Sequence, residues 1–96
     1  MTNHEAILRL SVNTGDVPAM NWLRDNNRTV IRAVITRYFG DGPRADQAEG
    51  ELMQRLAEHA RSYDRQESPD KWLARCVDTE CNRLRNEAIH EKANRD

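Results

Sequence analysis

Three sets of residues in this chain have types and spacings that bear on chemistry. Arg24, Arg28 and Arg32 recur every four residues, which places their guanidinium groups in a row on one helix face, able to follow a phosphate backbone. A solvated outer face is the better expectation for that row, because Asp25 and the acidic third helical segment can neutralise it. Trp22 and Trp72 carry rings that stack on unpaired bases, although indoles fill small helical cores more often. His4, His59 and His90 fall in separate segments with no cysteine or carboxylate at ligand spacing, so ordinary surface histidines are expected rather than a metal site. Glu58 and His59 are sequence neighbours, and neighbours on a helix point about 100° apart, which rules out an acid–base dyad. The chain has no glycine-rich phosphate loop, paired-cysteine zinc pattern, nucleophile elbow or HExxH helix. Neither an enzyme nor a cofactor is therefore expected.

Bulk properties narrow the class of partner. The 96 residues suit one domain,, and 38% hydrophobic with 32% charged residues describes a helix-rich globule with a modest core,. A formal net charge of −1 provides no long-range field to gather nucleic acid, so any DNA contact must come from a local patch. Cys76 and Cys81 lie five apart in one helical stretch, which separates their thiols and prevents an easy bridge. Buried thiols in a reducing compartment are expected. No stretch approaches a membrane span, and the first ten residues lack the pattern of a signal peptide,. A cytoplasmic location with no membrane contact is expected.

Four helical segments must position these residues. The first covers Asn3 to Val12 and ends in the turn cluster Asn13-Thr14-Gly15-Asp16,. The second runs from Asp16 to Phe39, with Pro18 in its first turn and Gly40-Asp41-Gly42-Pro43 as its stop,. Met20, Leu23, Val30, Ile31, Val34, Ile35 and Tyr38 form its apolar stripe,. The third extends from Arg44 to Ser62, with Ala45, Ala48, Leu52, Leu56, Ala60 and Tyr63 on one face,. Gly50 interrupts it at a cost of about 0.5–1 kcal/mol relative to alanine, which means either a close backbone approach or a weak helix. The polar stretch Tyr63 to Pro69 leads into a fourth helix that starts at Ser68-Pro69-Asp70 and continues to Ile89, with His90 to Asp96 as a polar fraying end,. The expected fold is all-α: a compact bundle of three to four helices whose core includes Leu23, Val30, Ile31, Val34, Leu52, Leu56, Leu73 and Val77,.

In order and spacing, these segments resemble region 2 of the extracytoplasmic-function group of bacterial sigma factors, within the sigma-70 family. The short helix ending in Gly15-Asp16 and the long one ending in RYFGD, Arg37 to Asp41, are similar to the first part of that region. Asp46 to Leu56 falls where the family has its acidic D-x-x-Q-E helix. Tyr63-Asp64 followed by Trp72-Leu73-Ala74-Arg75 resembles the family's F-D loop and W-L-x-R helix. The resemblance covers most of the chain. The family's second, helix-turn-helix domain, which reads the minus-thirty-five element, has no counterpart in these 96 residues.

The resemblance implies two working surfaces. In the family the acidic helix docks on the clamp helices of the largest subunit of core RNA polymerase, which assigns polymerase binding to Asp46, Glu49 and Glu51 here. Glu49 stands where glutamine is usual and Gly50 where an acid is usual. In the family the W-L-x-R helix and the preceding loop hold the non-template strand of the promoter minus-ten element with a base flipped out, because a stacked base hides its pairing edge. This assigns DNA binding to Trp72, Arg75 and Thr79, with Arg83 and Arg85 adding contacts further along. Thr79 replaces a base-contacting asparagine, and Asp78 and Glu80 bring negative charge beside it, so contact with promoter DNA is expected to be weak. A second expectation follows from those departures: a sigma-like interaction module that binds polymerase, an anti-sigma protein or its own copy without opening DNA. An unrelated helical bundle is the third.

Overall fold

Local signals for starting and stopping helices are used at Thr2, Asp16 and Gly40. In the computed structural model, which describes the backbone of residues 1–94 and the side chains of residues 1–89, α1 spans Asn3–Val12, α2 Val17–Asn26, α3 Arg28–Phe39, α4 Pro43–His59 and α5 Pro69–Asn94. A 3₁₀ turn, Ala60–Ser62, follows α4. Thr2 caps α1 by accepting a hydrogen bond from the Glu5 amide, and Asp16 caps α2 by accepting one from Ala19,. Gly40 ends α3 with φ 74°, a left-handed conformation that glycine adopts without a Cβ penalty,. Among the described residues no β-strand occurs and no helix is long and apolar enough to cross a membrane.

The long second segment is in fact two helices. The expected continuous helix from Asp16 to Phe39 breaks at Asn27, where φ is −126° and ψ is 19°. The Asn27 amide donates to the Leu23 carbonyl at 2.8 Å and to Asn3 Oδ1 at 2.7 Å. Asparagine competes in this way with the helical ladder, and an anchor on α1 holds it in the competing position. The break resets the rotation of α3. Ile31, Val34 and Ile35 face inward, while Val30, expected in the core, is 41% exposed. Among the described residues the bundle thus has five α-helices rather than three to four.

The core joins all five helices. Ala6, Ile7 and Leu10 of α1, Ala19 and Leu23 of α2, and the inward residues of α3 pack with Leu52, Met53 and Leu56 of α4 and with Trp72, Leu73, Val77 and Cys81 of α5. The other seven residues expected in the core are buried. The third segment stops one turn early as an α-helix and tightens into the 3₁₀ turn, which brings Tyr63 out of helical register,. Helix α5 continues through Asn94 beyond the expected end at Ile89; Arg95 and Asp96 lie outside the described residues.

Candidate functional site

The acidic residues of α4 do not form one exposed strip. Asp46 and Glu51 are exposed, but Glu49 is only 9% exposed. The reason is angular. Five residues of helix turn Glu51 about 140° away from Asp46, whereas Glu49, three residues on, stays near Asp46. Asp46 and Glu49 border a groove against α2, and Glu51 borders a separate cleft with Phe39 and Leu84. Arg32 of α3 gathers the first pair: its Nη1 lies 2.9 Å from Asp46 and 3.3 Å from Glu49, and its Nη2 lies 3.5 Å from Asp41. The hydrogen bond to Asp46 is the largest influence that raises the Arg32 pKa above its ordinary value. The acidic segment therefore neutralises the arginine row as expected at Arg32, and Arg24 pairs with Asp25 at 3.3 Å.

Helix α5 separates its expected DNA-contacting residues by face. Trp72 is fully buried, with its ring edge-on to Tyr63 at 5.6 Å. Tyr63 in turn meets His4, with the hydroxyl 2.8 Å from Nδ1. The tryptophan expected to contact DNA presents no ring face to a strand in this conformation; it anchors the loop before α5 onto α1. Apolar neighbours at i+1, i+4 and i+5 (Leu73, Cys76 and Val77) complete a stripe that requires Trp72 to point inward.

The outward residues are exposed but engaged within the chain. Arg75 donates to both carboxylate oxygens of Glu67, at 3.2 and 2.8 Å. The Thr79 hydroxyl donates to the Arg75 carbonyl at 2.9 Å. Arg85 lies over the Tyr38 ring, 4.9 Å from its centroid, and donates to Asn82 at 2.8 Å. Tyr38 donates to Asp78 at 2.7 Å, a bond that leads the factors raising the tyrosine pKa. The exposed residues Arg75, Thr79 and Arg85 spread over about 120° of α5, and each of the two cations has a carboxylate, amide or aromatic partner.

Glu80 overturns the expectation that two acids flank Thr79 on the surface. It is 4% exposed and points into the bundle, where His59 Nε2 lies 2.8 Å from Oε1 and Arg83 Nε lies 2.7 Å from Oε2. Burial opposes the charge on Glu80, but the hydrogen bonds from His59 and Arg83 outweigh it and hold its pKa below the ordinary value. Arg83, expected to reach DNA, is occupied by Glu80 and also by Glu87. His59 and His4 are thus half-buried and hydrogen-bonded rather than simple surface residues; the side chain of His90 lies outside the described residues. Sequence spacing missed the link from His59 to Glu80, because its two ends sit on different helices. Cys76 and Cys81 are buried free thiols, as expected, and burial pushes each up to about 11. No protein-family model, curated protein or solved structure matches the chain.

Proposed function

We propose that the chain is a sigma factor region 2-like module of bacterial transcription initiation, which docks on core RNA polymerase through α4 and its neighbours and meets minus-ten promoter DNA through the exposed residues of α5. The observation that carries this reading is the division of α5. The W-L-x-R segment buries Trp72 and Leu73 while Arg75, Thr79 and Arg85 stand outward on one continuous helix, and Asp46 and Glu51 remain exposed on α4 for a basic partner. The resemblance to region 2 supplies the identity of the partners; the all-α architecture agrees with it at the level of fold class only.

A second reading has its own support, a sigma-like interaction module that binds polymerase or an anti-sigma protein without opening DNA. Its supporting observation is that Arg75, Arg83 and Arg85 are all engaged internally and that Trp72 is buried. One experiment separates the two: purified chain is tested for binding to core polymerase, and the complex is then tested on single-stranded minus-ten DNA against a scrambled strand. Binding to both, with sequence preference, supports the first reading. Binding to polymerase alone supports the second, and binding to neither removes both.

A further inference from the structure

Arg75 is held by a loop rather than by its own helix. Its Nε donates to Glu67 Oε1 at 3.2 Å and its Nη2 to Oε2 at 2.8 Å, so the carboxylate fills the planar fork with which an arginine grips a phosphate. A flexible acid loses side-chain freedom on forming such a pair, which is why exposed ion pairs contribute little. Glu67 starts from a restrained backbone. Its amide donates to the Asp64 carbonyl at 2.9 Å, and the Gln66 amide donates to Asp64 Oδ1 at 2.9 Å, the self-bonded turn that aspartate favours. One end of the loop is fixed by Tyr63, which meets His4 and the Trp72 ring, and the other runs into α5 at Pro69. The Glu67 side chain is 28% exposed against 58% for Arg75, so the acid is the better seated partner and the guanidinium keeps an open side.

The other cations assigned to α5 are held differently. Arg83 pairs with Glu80, which is 4% exposed, and freeing it would leave a buried carboxylate with one partner fewer. Arg85 meets only neutral groups, the Tyr38 ring and Asn82. Of the three, Arg75 is the one blocked by a full negative charge that can be released into water, since Glu67 stands on a loop outside the core. A phosphate presents paired oxygens to a guanidinium as a carboxylate does, so the two compete for one fork.

We propose that Glu67 is an intramolecular stand-in for a nucleic-acid phosphate: it occupies Arg75 in the free chain and must leave before α5 engages a single strand. The loop of residues 63–68 then restrains binding rather than aiding it. This rests on the DNA-facing reading of α5 and adds a regulation of that surface. Each phosphate contact made by Arg75 carries the cost of one broken ion pair, which lowers affinity without removing the cation.

The test is a salt titration of the whole chain against a fluorescent single-stranded minus-ten-like oligonucleotide, starting at low ionic strength. Glu67→Gln raises affinity by roughly three- to fivefold, the fold-change equivalent to a well-formed surface ion pair. It also steepens the log–log salt slope by about 0.7, the value of one phosphate contact on a single strand. Loss of any acid near DNA raises affinity somewhat, so the substitution is repeated in an Arg75→Gln background. There the gain shrinks below about twofold, because no guanidinium is left to release. Glu58→Gln, which removes an exposed acid of α4, leaves affinity within about twofold. A helical circular-dichroism spectrum and a melting temperature close to that of the unmodified chain check that Glu67→Gln is folded. No gain in Glu67→Gln, or an equal gain with and without Arg75, overturns the inference and leaves the DNA-facing reading standing. Absence of binding by both the unmodified chain and Glu67→Gln at low salt overturns both.

Discussion

Asn3 and Asn27 exchange side-chain amide hydrogen bonds, at 3.0 Å in one direction and 2.7 Å in the other, across the junction of α1 with the α2–α3 break. Asn3 also donates to Asp70 at 3.0 Å, so the start of α5 is tied to the same point. Replacing Asn27 with alanine removes both bonds to Asn3 and the side-chain bond to the Leu23 carbonyl, and leaves a partly buried amide on Asn3 without its main partner. The expected cost is about 1–3 kcal/mol, read as a lower denaturation midpoint in urea with an unchanged slope. Asn27→Leu is expected to be no better, because leucine restores helix propensity but cannot hold the kink.

The Glu80 site makes stability depend on acid. A carboxylate whose folded pKa is depressed contributes stability that is fully present above its unfolded pKa and is lost as pH falls through the folded value. Glu80 is such a group. Unfolding measured from pH 7 downward is expected to show stability falling below the ordinary carboxylate range, and Glu80→Gln is expected to flatten that dependence. At pH 7 the Gln variant loses about 2 kcal/mol, the scale of a hydrogen bond to a charged group. An unchanged acid profile in Glu80→Gln would assign the dependence to other carboxylates.

Charge reversals on α4 divide by burial. Asp46→Lys and Glu51→Lys act on exposed side chains, so stability is expected to change by less than about 1 kcal/mol while polymerase affinity falls. Glu49→Lys places a cation against Arg32 in a buried position and is expected to cost about 3 kcal/mol, the lower range for breaking a buried pair. Thermal melts of the three variants check the contrast. Equal stability of all three would mean that Glu49 is not buried in solution.

DNA affinity is expected to respond at Asp78 rather than at Glu80. Asp78 is exposed beside Thr79 on α5, so Asp78→Arg adds a surface cation, and binding to single-stranded DNA rises at low salt with a salt dependence steeper by about 0.7 in log–log slope. A greater gain on a minus-ten-like strand than on a scrambled strand would support a promoter-facing ridge; an equal gain shows added charge alone. Glu80→Ala strips His59 and Arg83 of their shared carboxylate, so any effect it has on DNA binding is expected to come with lost stability.

The sequence alone determined the helical class, the start near Asp16, the glycine stop at Gly40 and most of the core, because these depend on local hydrogen bonds and on apolar periodicity within single segments,. Tertiary structure decided the rest. The break at Asn27 needed Asn3, 24 residues away, and the broken helix turned Val30 out to solvent. Glu80 reads as a surface acid until His59 of α4 arrives beside it, and Glu49 reads as part of an acidic strip until Arg32 of α3 draws it in. A charged residue can be buried only where a partner offsets its desolvation, and that partner sits on another helix, at a position no spacing within one segment can specify.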